Sequence, residues 1–133
     1  MPKKVFCDTQ ALVFWALDRS RLSSAARQAI DGAAKQGRLA CADVSLWEIA
    51  MLCAKGRISA PLSTGELLRD IIAALRLEMV AINPEIAVLA QADFFQQGDP
   101  ADRLIGATAL HYRAPLITSD AKLHTVPGLE TIW

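Results

Sequence analysis

The sequence has few of the residues that build disulfide frameworks or zinc sites. Its 133 residues include three cysteines, Cys7, Cys41 and Cys53, and two histidines, His111 and His124. The cysteines are odd in number and form no Cys-x-x-Cys pair, and neither histidine stands at a metal-ligand spacing from them. Structural zinc and a disulfide scaffold are therefore excluded, and we expect the cysteines to be small buried hydrophobes.

Long apolar runs are also missing. The run 71–75, for example, lies between Asp70 and Arg76, so no stretch is long enough to span a bilayer. The N-terminus meets an acid at Asp8, which is too early for a signal peptide. We therefore expect a cytoplasmic protein that has no membrane contact.

The chain also lacks net charge. Its 14 Lys and Arg balance 14 Asp and Glu, which excludes a broad basic coat for indiscriminate nucleic-acid binding. Apolar residues are plentiful, at 53%, so the chain can build an ordinary globular core. Its length fits a single domain, 1–133, and we find no repeat, low-complexity segment or linker.

Short apolar runs alternate with longer stretches of helical pattern. Strands are predicted at 5–7, 39–42, 79–82, 116–118 and 130–132, and helices at 9–17, 23–35, 46–55, 66–77, 83–95 and 99–112. Strands that are separated by helices require parallel crossovers. The predicted fold class is therefore α/β, a three-layer α/β/α sandwich with a central parallel sheet of four or five strands.

Acidic residues fall where the strands of this sheet end. Asp8 follows the first strand and Asp120 the fourth, Glu48 and Asp102 lie at the starts of helices that follow strands, and Asp99 precedes Asp102 by one helical step. Since open α/β sheets bind ligands beyond the carboxyl ends of their strands, these carboxylates are expected to converge. Such a cluster repels itself unless a cation neutralises it, and oxygen ligands favour Mg²⁺ or Mn²⁺. The pattern indicates metal-assisted phosphodiester cleavage.

Helix capping offers a second explanation for each acid. Ser45 and Glu48 have the spacing of a capping box, and Asp99 and Asp102 flank a proline at a helix start. Asp8 is likewise placed to cap the first helix. If capping explained all the acids, including a turn at Asp120, the chain would be a non-catalytic α/β binding module.

A third possibility is a phosphatase-like domain with Asp8 as nucleophile. A haloacid-dehalogenase-like enzyme would have a second Asp two residues later, where this chain has Gln10. The geometry of the acids separates these hypotheses, because only the nuclease requires Asp8, Glu48, Asp102 and Asp120 to share one pocket.

Four segments resemble the motifs of PIN-domain ribonucleases. In family order they are Val5-Phe6-Cys7-Asp8-Thr9-Gln10-Ala11-Leu12, Val44-Ser45-Leu46-Trp47-Glu48-Ile49-Ala50, Asp99-Pro100-Ala101-Asp102-Arg103-Leu104-Ile105-Gly106-Ala107-Thr108-Ala109 and Leu116-Ile117-Thr118-Ser119-Asp120. The resemblance is to the VapC-type toxins of bacterial type II toxin–antitoxin modules and covers nearly the whole chain. It implies a Mg²⁺- or Mn²⁺-dependent endoribonuclease that leaves 5′-phosphate and 3′-hydroxyl ends. It also implies a cognate VapB-like antitoxin as inhibitor and, commonly, a homodimer.

The resemblance assigns a role to each acid. Asp8, Glu48 and Asp102 match the acids that hold the metal directly or through water, Asp120 matches the fourth acid of the pocket, and Asp99 matches an additional acid of this subgroup. The predicted catalytic residues are thus Asp8, Glu48, Asp102 and Asp120, and all five acids are predicted metal ligands.

Hydroxyl and basic side chains complete the predicted site. Thr9, together with Thr118 or Ser119, would support the acids or the waters on the metal. Arg103, next to an acid of the third motif, is the predicted phosphate contact, so Arg103, Thr9 and Ser119 form the predicted substrate-binding set. Gln10 replaces a histidine of many relatives without removing an acid. The RNA target is left open between tRNA, rRNA and mRNA.

Overall fold

Five parallel strands form one sheet in the computed structural model of the chain, which describes residues 3–96 and 98–133. The strands are β1 (Val5–Cys7), β2 (Leu39–Ala42), β3 (Glu78–Val80), β4 (Leu116–Ile117) and β5 (Thr131–Ile132). Their order across the sheet is β3-β2-β1-β4-β5, and each neighbouring pair is parallel. The predicted parallel sheet is confirmed. Met1, Pro2 and Gln97 of the predicted domain lie outside the described residues.

The order of strands reverses between β1 and β4. After β1 the chain adds β2 and β3 on one side, and it then returns to add β4 and β5 on the other. Phe6 of β1 is paired with Ala40 of β2 and with Leu116 of β4. Such a switch point opens a crevice at the carboxyl ends of the two strands, where α/β proteins bind ligands.

In the described part of the chain, six α-helices connect the strands. They are α1 (Thr9–Leu17), α2 (Ser24–Lys35), α3 (Val44–Ala54), α4 (Thr64–Leu75), α5 (Pro84–Leu89) and α6 (Pro100–His111), with 3-10 turns at Arg19–Arg21 and Leu123–Thr125. Side-chain oxygens of Asp8, Ser23, Ser63, Asn83 and Asp99 accept backbone hydrogen bonds at five helix starts. Within the described residues, none of the helices combines the length and the apolar character that crossing a membrane requires.

The strands place alternate side chains in two separate cores. Val5 and Cys7 pack with α1, α2 and α4 on one face of the sheet, whereas Phe6 packs with α5 and α6 on the other. This arrangement confirms the three-layer α/β/α sandwich. Cys7 and Cys41 are buried in the first core and Cys53 is partly buried, and all three are free thiols.

One predicted helix is wrong in length. The helix expected at 83–95 ends at Leu89, because the following carbonyls bond to Arg103 of α6 instead of to the helix. The Arg103 guanidinium donates from Nε to the Ala90 carbonyl (2.8 Å), from Nη1 to the Phe95 carbonyl (3.0 Å) and from Nη2 to the Ala92 carbonyl (3.3 Å). This side chain therefore ties the turn after α5 to the start of α6.

Gly106 allows the same turn to close on α6. A Cβ atom at this position would lie 2.7 Å from Cε1 of Phe95 and 2.9 Å from Cδ2 of Leu123, both inside van der Waals contact. The missing side chain thus permits Phe95 and Leu123 to pack closely against α6.

Candidate active site

A cleft of about 540 Å³ opens at the carboxyl edge of the sheet, beside the switch point between β1 and β4. All five acids singled out in the sequence line it: Asp8, Glu48, Asp99, Asp102 and Asp120. They come from the N-terminal parts of three helices and from the loop after β4. The structure thus brings together carboxylates that are up to 112 positions apart, as the topology predicts.

Asp8 links the central strand to the first helix. Its side chain caps α1 by accepting a hydrogen bond from the Ala11 N–H (2.8 Å), and its own N–H donates to the Ile117 carbonyl of β4 (3.1 Å). Only 8% of the residue is exposed. Burial, together with the charges of Asp120 and Glu48, raises the pKa of Asp8 to about 6, against hydrogen bonds from Thr118 and Ala11 that lower it.

Glu48 lies one helical turn into α3, and the capping-box interpretation of this acid is wrong. The helix already begins at Val44, so Ser45 is inside it, and the Ser45 hydroxyl accepts a hydrogen bond from Thr9 Oγ1 (3.0 Å). Glu48 Oε1 is buried and has no hydrogen-bond partner in the part of the chain that the structure describes. Burial raises the pKa of Glu48, the Thr9 hydroxyl lowers it, and the charge of Asp99 raises it again.

Asp99 and Asp102 lie at the start of α6. Asp99 is the N-cap and accepts a hydrogen bond from the Ala101 N–H (2.9 Å), while Asp102 occupies the first turn. A helix N-terminus favours negative charge. Even so, burial raises the pKa of Asp102 to about 7, with further contributions from the neighbouring carboxylates, of which Asp99 is the largest. Burial, together with repulsion within the cluster, therefore outweighs the helix dipole.

Three of the acids have the geometry of a cation site. Glu48, Asp99 and Asp102 each offer one carboxylate oxygen, and these three atoms all lie within 4.8 Å of one another. Hard oxygen donors of this kind suit Mg²⁺ or Mn²⁺. The buried, unpartnered Oε1 of Glu48 supplies an acceptor that a cation would satisfy. The donor set therefore fits a divalent ion by its chemistry and by its spacing.

The loop after β4 supports the cluster through hydroxyl groups. The buried Thr118 side chain hydrogen-bonds Asp8 and accepts from the Asp120 N–H (3.1 Å), while Asp120 Oδ1 accepts from the Lys122 N–H (2.9 Å). Ser119 Oγ donates to Gln10 Oε1 (3.1 Å) at the rim. Of the three hydroxyl residues proposed to support the acids, Thr9, Thr118 and Ser119, Thr118 hydrogen-bonds Asp8. Thr9 and Ser119 both line the cleft, and their predicted contacts with substrate stay predictions.

The basic side chains differ from the prediction. Arg103 is not among the residues that line the cleft, and its guanidinium bonds the carbonyls after α5, so this geometry does not support its predicted phosphate contact. Arg21 and Arg57 line the cleft instead. Neither residue belongs to the predicted substrate-binding set of Arg103, Thr9 and Ser119. Arg21 was missed, although its position seven residues after Phe14 offered a signal, since its guanidinium covers that ring.

The positions of the acids distinguish the nuclease from the binding-module and phosphatase-like hypotheses. Capping is real for Asp8 and Asp99, yet both also face the cleft, so capping and a shared pocket are compatible. A binding module with dispersed acids is contradicted, because the acids lie together. The geometry does not support the phosphatase-like alternative. Position 10, where a second acid would be required, is Gln10, which accepts a hydrogen bond from Ser119.

The comparisons with known proteins define the class. The model of the PIN domain family matches residues 5–129, so the chain belongs to the PIN domain family. It is 36% identical over 132 residues to Ribonuclease VapC22 of Mycobacterium tuberculosis (strain ATCC 25618 / H37Rv), an alignment that covers 97% of this chain and 98% of that protein.

Solved structures share the fold. The crystal structure of VapBC2 from Rickettsia felis, bound to a DNA fragment from its promoter, matches with a TM-score of 0.72 at 17% identity over 96% of both chains. DNA-bound VapBC from Salmonella typhimurium matches with a TM-score of 0.71 at 17% identity, covering 98% of this chain and 97% of that one. A toxin–antitoxin complex from Klebsiella pneumoniae gives a TM-score of 0.66 at 20% identity over 95% of each chain.

Proposed function

We propose that this chain is a divalent-metal-dependent endoribonuclease toxin of the VapC type. Membership of the PIN domain family and the full-length similarity to a ribonuclease support this function. The observation that carries it is the set of three carboxylate oxygens of Glu48, Asp99 and Asp102, mutually within 4.8 Å in a cleft that Asp8 and Asp120 also line.

The site would hold Mg²⁺ or Mn²⁺ through Glu48, Asp99 and Asp102, with Asp8 and Asp120 beside it. The ion would activate a water for attack on phosphorus and stabilise the charge on the leaving 3′ oxygen. Other residues of the chain orient the carboxylates. Thr118 and the Ala11 N–H hold the carboxylate of Asp8, so this acid is positioned before a ligand arrives.

An RNA cleavage assay tests this function. The purified chain is incubated with bacterial total RNA and Mg²⁺ or Mn²⁺, and the new ends are mapped. We expect discrete cuts with 5′-phosphate and 3′-hydroxyl ends, and no cuts in chelator. Asp70→Asn, an exposed acid on α4 outside the cleft, is the matched control for substitutions of the cleft acids. Cleavage that continues in chelator, or its absence with both metals, would contradict the proposal.

The proposed partner is a cognate VapB-like antitoxin. The structural neighbours are toxin–antitoxin complexes, which makes an antitoxin the natural inhibitor of this activity. Co-expression with the small protein from an adjacent reading frame should abolish RNA cleavage and yield a stable complex in size-exclusion chromatography. The same chromatography on the isolated chain tests the predicted homodimer.

A further inference from the structure

We propose that Arg21 and Arg57 form a phosphate-binding pair that positions the RNA strand along the cleft; this inference rests on the proposed ribonuclease function. Both residues line the cleft that holds the five acids. Arg21 ends the 3-10 turn that follows α1, and Arg57 lies just beyond the end of α3. We call these two residues the arginine pair.

Neither member of the arginine pair is neutralised by the acids of the cleft. In residues 3–96 and 98–133, the ion pair that forms is Lys4 with Glu78, at the opposite edge of the sheet. Both arginines are exposed, and within those residues neither guanidinium donates a hydrogen bond to the protein. Arg103, by contrast, is bound to three carbonyls. The arginine pair thus keeps its donors for a ligand.

Arg21 is held in place by an aromatic ring. Its guanidinium carbon lies 4.5 Å from the centroid of Phe14, which also lines the cleft. Phe14 is in turn packed against Trp133, with ring centroids 6.4 Å apart. Stacking over a ring leaves the planar N–H edge of arginine free, and that edge matches phosphate oxygens in a bidentate manner. The geometry therefore prepares Arg21 for a phosphate before RNA binds.

The arginine pair is separated along the chain from the acids Asp8 and Glu48 by helical residues. Asp8 precedes α1 and Arg21 follows it, and a helix of nine residues is about 13 Å long. Glu48 is the fifth residue of α3, and Arg57 lies three residues beyond the end of that helix. We therefore expect the arginines to contact a phosphate other than the one that is cleaved. They act as positioning residues, which predicts a larger effect on RNA binding than on the chemical step.

The test measures RNA binding and metal binding separately. Arg21→Gln, Arg57→Gln and the double variant are compared with Arg69→Gln, an exposed arginine on α4 outside the cleft. Affinity for a labelled single-stranded RNA is measured by fluorescence anisotropy in chelator, over a series of salt concentrations. Mn²⁺ binding to each protein without RNA is measured by calorimetry, and unfolding temperatures check the fold.

Each substitution in the arginine pair should weaken RNA binding about three- to tenfold and reduce the slope of log affinity against log salt by about 0.7. The KM for RNA cleavage should rise while kcat and Mn²⁺ affinity stay unchanged. Phe14→Leu should weaken RNA binding in the wild-type background and have no further effect in Arg21→Gln. Affinities and salt slopes equal to those of Arg69→Gln, or a wild-type chain that binds no RNA, would overturn the inference.

The outcome is separate from that of the proposed function. A chain that binds RNA through the arginine pair but cleaves none with Mg²⁺ or Mn²⁺ would disprove the nuclease and leave the arginine pair intact. A chain that cleaves RNA with unchanged KM in the double variant would retain the nuclease and disprove the arginine pair.

Discussion

Charged side chains are arranged differently at the two edges of the central sheet, the amino edge where the strands begin and the carboxyl edge where they end. At the amino edge, Lys4 and Glu78 form an ion pair (3.3 Å) with side chains that are 36% and 56% exposed. Arg38, just before β2, donates from Nε to the Lys3 carbonyl (2.6 Å) and from Nη1 to Gln36 Oε1 (2.6 Å). Charges at this edge have partners nearby and remain in contact with water.

The carboxyl edge brings several negative charges close together. Five acids share a cleft, and burial with mutual repulsion raises the pKa values of Asp8, Glu48 and Asp102. Such an arrangement costs stability in the isolated chain, so it is explained by a ligand of opposite charge and not by folding. In this comparison, the structural edge has charged side chains with ion-pair or hydrogen-bond partners in contact with water. The functional edge has carboxylates that are crowded together and form no ion pair within the described residues.

The largest effect is expected from removing one charge at the carboxyl edge. Asp102→Asn should lower RNA cleavage about a hundred- to a thousandfold, since one ligand of the proposed cation is lost. The same substitution should raise the unfolding temperature in chelator, because it relieves repulsion from Asp99, Glu48, Asp120 and Asp8. Cleavage rates and thermal unfolding measure the two effects, and Asp8→Asn should lose activity likewise. A folded Asp102→Asn protein with full activity would contradict the functional role of the carboxyl edge.

The next effect concerns the packing of Phe95 and Leu123 against α6. Gly106→Ala should destabilise the fold by about 1–3 kcal/mol, because the new Cβ would overlap Phe95 and Leu123. The matched control is Gly32→Ala on α2, toward the amino edge, where nothing lies within 4 Å of the added atom. Gly32→Ala should stabilise by about 0.5–1 kcal/mol. Denaturant unfolding of both variants measures the contrast, and equal effects would show that the close approach at Gly106 is unimportant.

A third, smaller effect is the pH dependence of stability. The pKa rises from 3.8 to about 6 for Asp8 and to about 7 for Asp102 on folding, so the folded chain holds more protons than the unfolded chain in this range. Stability from these groups is therefore fully present below about pH 4 and is lost as pH rises to about 7. In chelator, the unfolding temperature of the wild type relative to Asp102→Asn should fall by on the order of 5 °C from pH 5 to pH 8.

A bound divalent metal should counteract the fall in unfolding temperature with rising pH. Excess Mn²⁺ binds the ionised carboxylates, so it should raise the unfolding temperature most at the upper end of the pH range. Asp70→Asn serves as the control, because it removes an acid from α4 outside the cleft. A difference between wild type and Asp102→Asn that does not change with pH would contradict the prediction.

The smallest effect is expected at the amino edge. Lys4→Gln or Glu78→Gln breaks an exposed ion pair and should change the free energy of unfolding by less than about 1 kcal/mol, with RNA cleavage unchanged. Added salt should reduce even that difference. A loss of activity comparable to that of Asp102→Asn would show that the two edges are not functionally distinct.

The sequence predicts the frame of the molecule because local rules determine it. Apolar runs that end at Asp8 or before Ser119 identify β1 and β4, and the Asn83-Pro84 start of α5 follows from capping chemistry. Parallel crossovers then bring the strand ends, and the acids that follow them, to one edge. The convergence of the five acids could therefore be predicted without coordinates.

Contacts between distant segments set the remaining details. The capping-box interpretation of Glu48 is wrong because α3 begins before Ser45, and the Ser45 hydroxyl bonds Thr9, 36 positions away. The end of α5 depends on Arg103, whose nearest carbonyl partner, at Ala90, is 13 positions earlier in the chain. The side chains of Ser45 and Arg103 can each hydrogen-bond several kinds of partner. Only the packing of the folded chain determines which partner is bound.

The strand order has a consequence for the timing of activity during synthesis. Phe6 pairs with Leu116, so the central strand gains its second neighbour only after most of the chain has left the ribosome. Asp120 follows that late strand. Unfinished or truncated polypeptides that stop before β4 lack both the wall of the cleft and its last carboxylate. We therefore expect a cell that makes this protein to meet its activity from finished molecules and not from fragments.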